Sequence, residues 1–160
     1  MKAVLPSRCS PSDAVRCRPV RDLAELAEHH RIRHAVFVVE QGLFAEDDRD
    51  ERDALTTTVH VLGLVDDAPA GTVRLYPLDP AGELWKGDRL AVLPHQRRSG
   101  IGGPLVRLAV ATAAARGGHR MDAVVQAVNT GFFLELGWSL SGEVADHLGL
   151  AHQPMSIPLR

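Results

Sequence analysis

Aromatic side chains are scarce in this chain: among its 160 residues there are one tyrosine, two tryptophans and four phenylalanines. So few rings offer no platform on which bases could stack, and a formal net charge of −2 lacks the basic footprint of a phosphate-backbone binder. Nucleic acid is therefore not an expected partner. Cysteine is rarer still. Cys9 and Cys17 are too few for a disulfide framework and lack metal-site spacing, so they read as reduced thiols of a cytoplasmic protein. No apolar run reaches the ~18 residues of a membrane span, and the N-terminus lacks the apolar core of a secretory signal. The histidines are scattered without H-E-x-x-H or another ligand pair, and no metal is expected.

What is present centres on one stretch, from Arg89 to Leu105. Leu90–Leu93 is an apolar run of strand length, ended by Pro94, which cannot donate to a sheet ladder. Arg97, Arg98 and Ser99 lead into Gly100, Ile101, Gly102 and Gly103. Pro104 then suits the first turn of a helix. The first amides of a helix have no internal partner and carry the positive end of its dipole. Glycines let an anion approach those amides, and two arginines add charged donors. Residues 97–103 are thus expected to bind a phosphorylated ligand, although the same glycines could serve only a tight strand–helix turn. Two better-known phosphate signatures fail: Leu105 stands where G-x-G-x-x-G needs glycine, and no G-K-[ST] follows.

Along the chain, the length suits one compact domain. Residues 1–14, with Pro6 and Pro11 among serines, read as a flexible tail, leaving 15–160 as the domain. Val15–Val20 is a candidate strand, and Asp22 with Glu25 a capping-box-like helix start. Leu23, Leu26, Ala27 and His30 share one helical face, while Ile32, Ala35, Val36 and Val39 share another. The phase slip between them suggests two helices, with Gly42 as the stop. The run Glu46–Asp53 reads as a solvated acidic loop or helix turn, or as an acidic rim attracting a cationic acceptor. Thr57–Val65 and Thr72–Tyr76 form a hairpin across a loop at 66–71. Leu84–Leu93 is the next strand, with Gly87 marking a bulge. A small-residue helix spans Gly103–Arg116 and stops at Gly117-Gly118. Met121–Val128 is a buried strand, Phe132–Leu136 a short helix, and Leu140–Ala145 and Met155–Leu159 the last strands, joined by a loop carrying His147 and His152. Antiparallel strands followed by a strand–helix–strand crossover predict a three-layer α/β (α+β) arrangement.

Three segments together resemble a known superfamily. Arg97-x-x-Gly100-x-Gly102 after Leu90-Ala-Val92 looks like motif A of the Gcn5-related N-acetyltransferases (GNAT). Val124–Asn129 looks like the family's next strand, and Phe132–Trp138 its Leu-Tyr-Glu-Lys-Leu-Gly-Phe segment. The segment Arg33–Gln41 resembles the ElaA-like branch, more loosely the acyl-homoserine-lactone synthases, and the whole is similar to acetyltransferases of nitrilase-type gene clusters. The resemblance covers about residues 15–160. It implies a mixed, mostly antiparallel central sheet of six to seven strands with helices on both faces. It also implies acetyl-coenzyme A as co-substrate, its pyrophosphate on residues 97–103 and its pantetheine along Ala91 and Val92, with Asn129 and Phe133 beside it. A homodimer is a further implication.

The chain departs from the family at Phe133, where a tyrosine often serves as general acid; phenylalanine has no proton to give. A thiol has a reference pKa of about 8.5 and an alkyl ammonium one of about 10.4, so deprotonating the acceptor is the harder task. The expected activity is acetyl transfer to a primary amine of a small molecule by direct attack. Glu40 and His152 are the candidate bases, against the plainer readings of a surface charge and a loop histidine; His60 and Tyr76 are expected to be structural. The alternatives are a non-catalytic acyl-coenzyme A sensor and an enzyme for longer acyl chains.

Overall fold

Eight strands form one mixed sheet in the computed structural model, which describes residues 14–160. The expected tail lies outside that range apart from Ala14. Strands β1 (Val15–Pro19), β2 (Val59–Val65), β3 (Ala68–Pro77) and β4 (Leu84–Val92) are successively antiparallel. β4 pairs in parallel with β5 (Arg120–Gln126), as the crossover requires. The remaining strands are β6 (Ser139–Leu140), β7 (Ala145–His147) and β8 (Leu150–Pro158). β8 lies antiparallel against β5, and both β6 and β7 pair with β8. The expectation of six to seven strands falls one short, because the C-terminal segment breaks into three strands. His152 consequently sits inside β8 and not in a loop.

Helix α1 (Leu23–Arg33) runs without a break into a π-helix over His34–Glu40. Its wider turns are visible in the bond from Gln41 N–H to the Val36 carbonyl at 2.9 Å. One continuous rod, α-helical and then π-helical, replaces the two helices expected. Its buried face carries His29, His30, Ile32, Arg33, Val36 and Phe37, while Leu23 and Val39 are exposed. At the N-terminus Asp22 accepts from Glu25 N–H at 2.8 Å, but Glu25 reaches back to Arg21 N–H, not to Asp22. Helix α2 (Gly102–Ala115) and helix α3 (Thr130–Glu135) complete the helical layers.

The alternation of β2 assigns its neighbours to two cores. Val61 packs with Val73, Leu75, Leu105 and Met121 under α2, whereas Leu62 packs with Ile32, Val36, Phe37 and Ala91 under α1. Complete burial of Leu105 contributes about 1.5–3 kcal/mol. Its seat depends on two glycines facing each other across β2 and β3. A Cβ at Gly63 would meet Ile101 at 2.9 Å, and one at Gly71 would meet Leu105 at 2.8 Å. These two positions allow the first turn of α2 to settle onto the sheet.

Two irregularities differ from expectation. The β2–β3 connection is only Asp66-Asp67, with φ of +49° and +65°, a left-handed turn that aspartate tolerates. Pro69 therefore lies within β3, beside the bulge at Gly63/Leu64. In β4 the bulge falls at Arg89–Leu90 rather than Gly87. Thr72 faces Ala91 and Arg74 faces Asp88, leaving two β4 residues opposite Val73, and Arg89 has φ +53°. Among the described residues, no helix is long and apolar enough to cross a membrane.

Candidate functional site

Pairing between β4 and β5 covers only Leu84–Lys86 against Arg120–Asp122. Beyond it the strands part, β4 staying with β3 and β5 with β8 through Gln126–His152. The bulge at Arg89 bends β4 at this divide, and its edge facing β5 is left without a strand partner. The result is a cleft of about 1120 Å³, whose lining includes Ala91, Val92, Arg97, Gly100, Gly102, Gly103, Asn129, Phe133 and His152. Nine of the candidate site residues thus meet at one place.

The glycine loop forms the cleft's polar end. Residues 94–96 make a single 3₁₀ turn, and Gly100 takes φ +82°. Ser99 Oγ donates to the Gln96 carbonyl at 2.6 Å and accepts from Ile101 N–H at 3.3 Å, so its hydroxyl shapes the loop. Ile101 is 1% exposed and gives its side chain to the core, which leaves only its backbone for the loop. Among the described residues, the amides of Gly100, Gly102 and Gly103 find no protein acceptor. Unpaired amides at a helix start are donors of the kind that suit an anion. Arg98 is exposed beside them. Arg107, a residue the sequence reading did not single out, lays its guanidinium against Gly103, where a Cβ would meet Nη1 at 3.3 Å. Its position four residues after Gly103, on the same helical face, was the available signal.

The cleft floor is apolar. Phe133 is buried and stands edge-on to Trp138, ring centroids 5.4 Å apart, and to Phe132 at 5.3 Å. The chain's one tyrosine cannot stand in for the missing hydroxyl. Tyr76 donates to Asp88 at 3.1 Å and is buried, which pushes its pKa up to about 12. Asn129 lies in a 3₁₀ turn, Ala127–Asn129, just after β5, with its side chain free of a cap bond.

The two candidate bases have different surroundings. His152 is 8% exposed, and its Nδ1 lies 2.8 Å from the Leu150 carbonyl. That contact requires Nδ1–H as donor, which leaves the lone pair of the neutral ring on Nε2, and His152 is among the residues lining the cleft. Glu40, at the end of the π-helix, is held by Arg97, whose Nη1 donates to Oε2 at 2.6 Å and whose Nη2 donates to Oε1. The Arg97 hydrogen bond keeps this carboxyl below its ordinary value, which weakens it as a base. The next residue, Gln41, accepts from Gln126 Nε2 at 2.9 Å across the cleft mouth.

The acidic run 46–53 is solvated only in part: Glu46, Asp47, Arg49, Asp50 and Glu51 are exposed and Glu51–Ala54 is a 3₁₀ turn, but its carboxylates also meet arginines. Asp48 is 1% exposed and accepts from Arg33 Nε at 2.7 Å and Arg89 Nε at 3.0 Å. Asp53 accepts from Arg33 Nη1 at 2.7 Å and contacts His60 Nε2 at 3.0 Å; Arg74 Nη1 donates to Asp50 at 2.7 Å, and Arg74 Nη2 to Asp88 at 2.7 Å. Burial alone would raise Asp53, but the bonds from His60 and Arg33 outweigh it and hold the group far below its usual range. His30, Asp53 and His60 bring three ligand-type atoms within 4.8 Å. The Asp53 oxygens there are already occupied by guanidinium groups, so the trio belongs to this ion network.

The comparisons with known proteins agree with this geometry. The model of the acetyltransferase (GNAT) family matches residues 20–138. A Bacillus subtilis (strain 168) protein provisionally named an acetyltransferase is 30% identical over 126 residues, 78% of this chain and 84% of that protein. Escherichia coli ElaA superposes with a TM-score of 0.78 at 23% identity, over 89% of this chain and 98% of its own. An aminoglycoside 6'-N-acetyltransferase complexed with coenzyme A superposes with a TM-score of 0.72 at 14% identity, covering 89% and 96%. The open β4–β5 fork and the glycine loop of unpaired amides at its polar end thus sit in a chain whose residues 20–138 match the family model, and this chain belongs to that family, the acetyltransferase (GNAT) family.

Proposed function

We propose that this enzyme transfers an acyl group, acetyl in the simplest case, from its coenzyme A thioester to the primary amine of a small molecule within a ternary complex. The observation that carries this reading is the set of unpaired amides at Gly100, Gly102 and Gly103, opening onto the β4–β5 fork. The coenzyme A bound to the aminoglycoside 6'-N-acetyltransferase supports the choice of ligand. The diphosphate would take the loop amides with Arg98 and Arg107. Pantetheine would run along the unpaired edge of β4 at Ala91 and Val92, as an added strand does. A backbone N–H of that edge would polarise the thioester carbonyl. The amine nitrogen bonds to the acyl carbon, the C–S bond breaks, and coenzyme A leaves as thiolate. The amine's proton goes to His152 Nε2, directly or through one water, and solvent protonates the thiolate in the absence of an acid at Phe133. His152 fits the base better than Glu40 because its lone pair is free and Glu40 is paired.

Thiol release with acetyl- and longer acyl-coenzyme A against a panel of primary amines tests the reaction. His152→Asn should lower kcat by about 10²–10⁴-fold while coenzyme A affinity stays unchanged. Coenzyme A binding with no turnover on any amine would favour the sensor reading that the phenylalanine at 133 suggests.

A further inference from the structure

Arg97 is the first residue of the proposed diphosphate loop, yet its side chain is already committed. Nε donates to the Val92 carbonyl at 3.2 Å, and both terminal nitrogens bind Glu40. Arg97 and Glu40 are 57 residues apart in sequence. Gln41, adjacent to Glu40, holds the other lip through Gln126. The end of the π-helix is thereby strapped across the entrance at two consecutive residues. The Arg97 side chain is 44% exposed and that of Glu40 33% exposed. Water screens such a pair, so another anion can exchange for the carboxylate at low cost. The Val92 carbonyl under Arg97 belongs to the β4 edge that pantetheine would follow.

We infer that Glu40 is an internal competitor for the diphosphate. With the cleft empty, its carboxylate occupies Arg97 and keeps that side chain folded over the Val92 carbonyl. An arriving diphosphate carries more negative charge and takes Arg97 away from both partners. The same movement exposes the Val92 carbonyl to the pantetheine amides and releases the end of the π-helix. Arg97 thus changes partner between the empty and the loaded enzyme. This rests on residues 97–103 being the diphosphate loop, as proposed above.

Calorimetric titration of the full chain with coenzyme A tests the exchange. Glu40→Gln should bind coenzyme A about fivefold more tightly, the upper range for loss of an exposed pair. Arg97→Ala should bind it more weakly, and Glu40→Gln should then add nothing in the Arg97→Ala background. If Glu40→Gln binds no tighter, or weaker, while Arg97→Ala is impaired, then Glu40 positions Arg97 and the competitor is overturned, with the loop reading intact. Tightening that persists without Arg97 also overturns it, because the effect would not pass through the exchange. If replacing Arg97 and Arg98 together leaves affinity unchanged, the loop reading itself falls and the inference with it.

Discussion

Two charged regions border the cleft and differ in one respect. On the α1 side, Arg33, Arg74 and Arg89 meet Asp48, Asp50, Asp53 and Asp88, with nearly every donor matched to an acceptor. On the α2 side, the loop amides and Arg107 point at no acceptor of their own. The first region ties α1, the 46–53 segment, β3 and the β4 bulge into a fixed wall. The second leaves its donors open. Saturation separates scaffold from site here, because residue type does not: both are rich in arginine.

The sharpest way to break this comparison is to unbalance the wall. Asp53→Ala would leave Arg33, which is fully buried, without one of its two carboxylates. Removing one partner of a buried pair typically costs about 3–5 kcal/mol. Urea unfolding should register a loss of that size, while coenzyme A affinity of the folded protein changes less than about twofold. A variant that folds normally but no longer binds coenzyme A would show that the wall is part of the site. A smaller effect is expected on the other side. Arg107→Ala removes a charged donor worth about 1.5–3 kcal/mol, so coenzyme A affinity should fall at least about tenfold with little change in stability.

The same contrast explains what could be read from the sequence. The open amides of Gly100, Gly102 and Gly103 were legible because such a loop is local: strand, glycines and helix start are contiguous, and unpaired amides follow from backbone geometry. The parallel crossover from β4 to β5 was legible for a similar reason. The fate of Glu46–Asp53 was not. Arg33, Arg74 and Arg89 lie 15 to 41 residues from Asp48 or 24 from Asp50 along the chain. No window of sequence reveals that three arginines converge on a run of aspartates, which alone reads as solvated. The α1 face was misread for the related reason that its inward positions hold His29, His30 and Arg33 instead of leucines. The bulge at Arg89 likewise depends on Arg74, Asp48 and Phe44 around it, and a non-glycine residue with positive φ gives no local sign. His152 was placed in a loop because β8 begins at Leu150, after a hairpin whose turn residue Leu148 also has positive φ (+53°).

The wall also makes a pH signature that the loop does not share. His29 is fully buried, with Nδ1 2.9 Å from the Val61 carbonyl; burial first, then Arg33 and His60, push its pKa down to about 2. Burial and Arg33 likewise lower His30 to about 4, against partial support from Asp53. Both rings are therefore neutral in the fold at pH values where the unfolded chain, with a histidine pKa near 6.5, takes up protons. The unfolded state then binds more protons, so stability must fall as pH falls below about 6.5. Each histidine contributes at most about 1.4 kcal/mol per pH unit, and the His30 share ends near pH 4, where the folded ring also protonates. Asp50 and Asp53 cannot produce this decline. Both are held below the ordinary 3.8, so their contribution is complete above that value and is lost only at lower pH. Urea midpoints measured between pH 6 and 4.5 should thus slope downward, and His30→Gln should flatten the slope by up to about 1.4 kcal/mol per unit even where it lowers the midpoint itself. An unchanged slope in that variant would mean that His30 is protonated inside the network, so that the wall is charged differently from the one drawn by its hydrogen bonds.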